Sequence, residues 1–119
     1  MHLEAERIQD TLMIRLSGEL DLAVADQVKK SIDELMEEKK TSILILDVGR
    51  VTFIDSSGLG VILGRYKRML AKKGEMYIIR AAPNLLRLFE ISGVTKLVKV
   101  FESEKQILRE KGKEEGMWA

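Results

Sequence analysis

The chain contains no cysteine, which excludes disulfides, thiol nucleophiles and thiolate metal sites. Its one histidine, His2, sits at a terminus expected to be mobile, so histidine-based catalysis has little to build on. No metal and no cofactor are expected. Apolar runs are also short: Ile43-Leu44-Ile45-Leu46 is typical, and a bilayer span needs roughly 20 such residues. The acidic N-terminal stretch shows no signal-peptide pattern, so the reading predicts a cytoplasmic protein with no membrane contact. Finally, no charge of one sign dominates. Twenty basic residues against nineteen acidic ones give a net charge of +1, too little to recruit nucleic acid by a general field. Any partner must be recognised locally.

What is present suits a compact domain. The chain has 119 residues, of which 45% are apolar and 33% charged, enough for one core and with no composition that suggests disorder. Residues 3 to 9 and 12 to 18 alternate (Leu3, Ala5 and Ile8, then Leu12, Ile14 and Leu16) around Gln9-Asp10-Thr11, which predicts a β-hairpin. Asp21 then suits the cap of a helix running to about Lys39, with Ala25, Val28, Ile32, Leu35 and Met36 on one face. Residues 42 to 48 are apolar on both faces, as a central buried strand should be. Val51 to Ile54 carries the chain to Asp55, and a second helix follows over residues 56 to 72, with Leu59, Ile62, Leu63, Tyr66, Met69 and Leu70 at helical spacing. Arg65 and Arg68 read as a solvated face. Residues 76 to 79 form another strand; Pro83 opens a helix closed by Gly93. A short strand over 97 to 100 precedes a terminal helix with a Ser103/Gln106 capping box. This order predicts a single α/β domain over residues 1 to 110, a mixed sheet opened by a hairpin with helices packed on it. Residues 111 to 119 read as a charged tail, and Met117 and Trp118 within it are given no role.

One segment calls for more than packing. Asp55-Ser56-Ser57-Gly58-Leu59-Gly60 lies between a buried strand and a helix, where α/β folds place their sites. A helix start offers unpaired N–H groups and the positive end of the macrodipole, a favourable setting for a phosphate attached to serine. A cap on Asp55 or Ser56 with glycines for a tight turn would account for the same residue types. Yet one capping side chain suffices, and a glycine inside a helix costs about 1 kcal/mol relative to alanine. Close approach of a partner, with Gly58 and Gly60 keeping the surroundings open, accounts for the surplus. Gly64 either packs closely on the sheet or leaves a partner-facing notch. Gly58, Gly60 and Gly64 miss the dinucleotide-binding spacing, and no Gly-Lys-Ser/Thr follows.

The stretch Phe53-Ile54-Asp55-Ser56-Ser57-Gly58-Leu59-Gly60-Val61-Ile62-Leu63-Gly64-Arg65-Tyr66-Lys67 resembles the signature of the anti-sigma factor antagonists, members of the STAS domain family. Gly18-Glu19-Leu20-Asp21 resembles that family's second motif and Leu88-Phe89-Glu90-Ile91-Ser92-Gly93 its third. Within the family the chain is most similar to the sporulation type that acts on the anti-sigma factor of sigma-F. Where that type often carries histidines after its Gly-Glu-Leu-Asp motif, this chain has Leu22 and Ala23.

The resemblance implies a binding switch and not an enzyme. The unmodified form binds an anti-sigma factor that is also a serine kinase and so frees the sigma factor; phosphorylation inactivates it, and a serine phosphatase restores it. The family modifies the serine directly after the aspartate, which transfers to Ser56, with Ser57 as the runner-up. Asp21, Asp55, Ser56, Ser57, Gly58 and Leu59 are the implied partner contacts, Asp21 because its motif should lie near the serine loop, although it is equally explained as a helix cap and Leu59 and Ile62 as core. Two other readings of the same corner stand beside this one. A receiver-like domain would be phosphorylated on Asp55, but needs an acidic pair for Mg²⁺ where the sequence offers only Asp10. A small-nucleotide-binding module would use the helix start and glycines without a P-loop lysine.

Overall fold

The computed structural model describes residues 1–114. A hairpin opens it: β1 (His2–Ile8) pairs antiparallel with β2 (Thr11–Leu20), and Ile8 stands opposite Thr11 across a turn in which Gln9 takes a left-handed φ of 55°. The chain continues through α1 (Leu22–Glu38), β3 (Ile43–Ile54), α2 (Ser56–Ala71), β4 (Glu75–Ile79), α3 (Pro83–Ser92), a 3₁₀ turn over Val94–Lys96, β5 (Lys99–Phe101) and α4 (Glu104–Glu114). The five strands lie in sequence order, with every pair after the hairpin parallel. The α/β class and the mixed, hairpin-opened sheet follow, with β3 in the centre.

Alternation along the strands divides the core in two. Leu12, Ile14, Leu44, Leu46 and Ile78 face Ile32, Ile62, Met69 and Phe89 of α1, α2 and α3. Met13, Ile45, Tyr77 and Ile79 face the other way, against Ile107 of α4. That is why β3 reads as apolar on both faces: each side of it is covered. Full burial of such a side chain is worth about 1.5–3 kcal/mol, so the central strands fix the register on which the site depends.

Several expectations need correction. The segments 42–48 and 51–54 are one continuous strand, because β2 follows β3 across Gly49-Arg50 through two register shifts in their ladder. Gly18, at a φ of 104°, sits at the second shift. Ile8 is exposed, as the end of an edge strand allows, and Leu70 is exposed on α2. Arg65 is not on a solvated face: it is 4% exposed, between α1 and α2. The last strand starts two residues later than expected, after the 3₁₀ turn, and Gln106 accepts from the Glu102 N–H and not from that of Ser103. Helix α4 continues through residues 111–114, with Lys111 Nζ 2.6 Å from Glu75 Oε2. Met117 and Trp118 lie outside the described residues.

Candidate functional site

The parallel strands β2 and β3 end together, Leu20 opposite Ile54, so the residues that follow, Asp21 and Asp55, occupy neighbouring corners of one edge. The proximity expected of the two motifs is therefore set by strand register. Each aspartate starts a helix. Asp21 Oδ1 accepts from the Ala23 N–H at 3.1 Å, an ordinary N-cap. Asp55 does more: Oδ1 accepts from the Gly58 N–H at 3.0 Å and caps α2, while Oδ2 accepts from the Leu22 N–H at 3.0 Å and ties down the first residue of α1. The Asp55 N–H in turn donates to Leu20 O at 3.3 Å.

Because Asp55 performs the capping, the hydroxyls of Ser56 and Ser57 are not required for it. Ser56 is exposed and Ser57 half-buried, and both stand in the first turn of α2, where the macrodipole is positive. Leu22, 76% exposed, lines a groove with Ser57, while Phe53, 49% exposed, lies near the end of β3. Isolated exposed apolar residues are common, but Leu22 stands beside the serine that follows Ser56. Leu22 is not among the expected contacts; the signal available for it is a large apolar side chain at a helix start.

The glycines have separate reasons. A Cβ on Gly58 would lie 2.3 Å from Leu20 O, so this residue is buried where α2 starts against the end of β2. The expectation that Gly58 keeps the serines' surroundings open is thus corrected. Gly60 and Gly64 do leave space: a Cβ at either would meet nothing within 4 Å. That decides for the notch at Gly64 and against packing on the sheet. The two glycines line a groove of about 280 Å³ with Ser57, Arg65 and the first turns of α1. At its floor, Arg65 Nε lies 2.9 Å from Asp33 Oδ1, which Arg68 also approaches at 3.5 Å. Burial lowers the Arg65 pKa from its ordinary value; Asp33 opposes the shift and Arg68 adds to it.

The third motif plays a structural part. Phe89 is fully buried and Gly93, at a φ of 87°, closes α3 in the left-handed conformation that favours glycine. Asp10 lies in the hairpin turn, where its carbonyl accepts from the Ser42 N–H at 2.8 Å. Among the described residues no cluster of three His, Cys, Asp or Glu side chains is arranged to hold a metal, and no helix is long and apolar enough to cross a membrane.

Comparison with known proteins agrees with this architecture. The STAS domain family model matches residues 2–107. An anti-sigma F factor antagonist of Paenibacillus polymyxa is 38% identical over 110 residues, 92% of this chain and 94% of that one. An anti-sigma-B factor antagonist of Listeria monocytogenes is 33% identical, covering 80% and 82% of the two chains. Among solved structures, the anti-sigma factor antagonist SpoIIAA in its unphosphorylated form superposes with a TM-score of 0.78 at 28% identity, over 93% of this chain and 97% of that one. The phosphorylated form of the Bacillus protein gives 0.71, again at 28% identity, over 91% and 98%.

Proposed function

This chain belongs to the STAS domain family, and we propose that it is an anti-sigma factor antagonist of the sporulation sigma-F type, acting in the cytoplasm as a binding switch and phosphorylation substrate, not as an enzyme. In its unmodified form it binds an anti-sigma factor with serine kinase activity and releases the sigma factor. Phosphorylation of Ser56 ends that binding, and a serine phosphatase restores it. The observation that carries the reading is an exposed Ser56 hydroxyl at a helix start whose capping is already done by Asp55. Relatives named as anti-sigma factor antagonists, one solved in both unphosphorylated and phosphorylated forms, support it.

The chemistry asks little of this chain. The kinase brings ATP and Mg²⁺, and the substrate has only to present a hydroxyl in line with the γ-phosphate. Asp55 holds the corner rigid, Asp21 keeps α1 beside it, and Ser56, Ser57, Leu59 and the edge above buried Gly58 meet the partner. A phosphate adds about −1.5 to −2 charge. Opposite an acidic group or nucleotide phosphate about 4 Å away, at an effective dielectric near 20, each unit is repelled by roughly 4 kcal/mol. The α2 dipole returns only about 0.3–2 kcal/mol. Binding is lost by charge while the fold stays as it is.

The receiver-like alternative fares worse, since both Asp55 oxygens are engaged by backbone N–H groups and a poor nucleophile results. Incubation with the cognate anti-sigma kinase and ATP, followed by mass spectrometry, tests the assignment. Phosphate on Ser56, absent from Ser56→Ala, is the expected result. Modification of Ser57 or Asp55 contradicts it, and nucleotide binding by the chain alone would favour the nucleotide module.

A further inference from the structure

Leu22 has no task in the fold that accounts for it. No large apolar side chain among the described residues is more exposed, at 76%, and it belongs to neither half of the core. A single exposed leucine is ordinary on a protein surface, but the way this one is held is not. Its N–H is one of the unpaired donors at the start of α1. Asp21 caps the Ala23 N–H instead, and the Leu22 N–H donates across to Asp55 Oδ2, at the start of the other helix, at 3.0 Å. One aspartate is thus the chain neighbour of Ser56 and the anchor of Leu22 in space. The same leucine lines the groove of about 280 Å³ with Ser57. Its backbone is fixed to the serine corner while its side chain is left in water.

We infer that Leu22 is a recognition contact for the anti-sigma kinase, seated in an apolar pocket of that partner, and that Asp55 is the positioning residue that presents it. The inference rests on the proposed switch at Ser56 and names part of the surface by which the kinase recognises it. A stable interface covers roughly 800 Å² of each partner. A patch of that size centred on Ser56 takes in a residue one hydrogen bond from Asp55. Leu22 is then removed from water on binding, and burial of apolar area is the gain open to it, since its side chain has no donor or acceptor. Leu59, in the same patch, is half-buried against the core and has less free surface to give. Leu70 is the internal contrast: 59% exposed in the last turn of α2, it lies roughly 21 Å along the helix axis from Ser56, outside such a patch.

The test is titration calorimetry of the chain against the anti-sigma kinase of the same organism, loaded with ADP so that no phosphate is transferred, with thermal melting of each free variant. Leu22→Ala melts as the wild type does, yet binds at least about tenfold more weakly. Leu22→Met, which restores the apolar volume, stays within about threefold of wild type, and so does Leu70→Ala. Asparagine has one acceptor oxygen where aspartate has two, so Asp55→Asn keeps either the Gly58 cap or the tie to Leu22. It binds about fivefold more weakly by itself, and less than about twofold more weakly once Leu22→Ala is in place. Full affinity of Leu22→Ala, or an equal loss from Leu70→Ala, overturns the contact and leaves the Ser56 switch standing. Strict additivity of Asp55→Asn and Leu22→Ala overturns the positioning role. Failure of the wild-type chain to bind the kinase at all overturns the switch and this inference together.

Discussion

Two helices start side by side at the same edge of the sheet, each behind a capping aspartate, and only one start carries polar groups beyond what folding needs. At α1, Asp21 caps the Ala23 N–H, and the residues that follow, Leu22 and Ala23, have nothing further to donate or accept through their side chains. At α2, Asp55 caps Gly58, holds Leu22 of the neighbouring helix, and is then followed by two serines. A third start, α3, manages with Pro83 behind Ala82 and no side-chain cap at all. Capping alone therefore cannot account for Ser56 and Ser57. Surplus over the requirement of the fold, and not polarity as such, is what separates the proposed phosphorylation corner from its neighbour.

That contrast can be broken by mutation. The largest stability loss is expected for Gly58→Ala, whose Cβ would press on the Leu20 carbonyl at 2.3 Å; urea unfolding should show a loss of about 3 kcal/mol, the upper range for overpacking. Asp55→Ala removes bonds to two helices and should cost about 2 kcal/mol, against about 1 kcal/mol for Asp21→Ala, which removes one cap. Equal losses at the two aspartates would erase the distinction between the corners. Ser56→Ala should change stability by less than about 0.5 kcal/mol, as for a surface substitution, while abolishing phosphate incorporation. A large loss there would mean that the serine is part of the cap after all.

Much of this was legible in the sequence, for identifiable reasons. Helices α1 and α3 carry their own boundaries, Asp21 and Pro83 at the starts and Gly93 at one end, and β3 announces its double burial by Ile43 to Leu46. The meeting of the two motif corners was expected from the resemblance, but the Asp55 bond to Leu22 was not, since it depends on the Leu20–Ile54 register. Gly49-Arg50 looked like a break because strand continuity there relies on the irregular ladder with β2. Arg65 was misread although its position follows Gly58, Val61 and Ile62 on the buried side of α2; the periodicity was visible, but the compensating Asp33 lies on another helix, where no local pattern reaches. Gly58 was similarly opaque, because its constraint is a contact with a residue far away in sequence.

The central claim is that charge placed on Ser56 excludes the partner without disturbing the fold. Its most direct test is the affinity of the anti-sigma kinase for the chain phosphorylated at Ser56, compared with the unmodified chain. The account predicts binding about a thousandfold weaker with an unchanged circular dichroism spectrum. Equal affinity of the two forms, or a loss accompanied by unfolding, would contradict it.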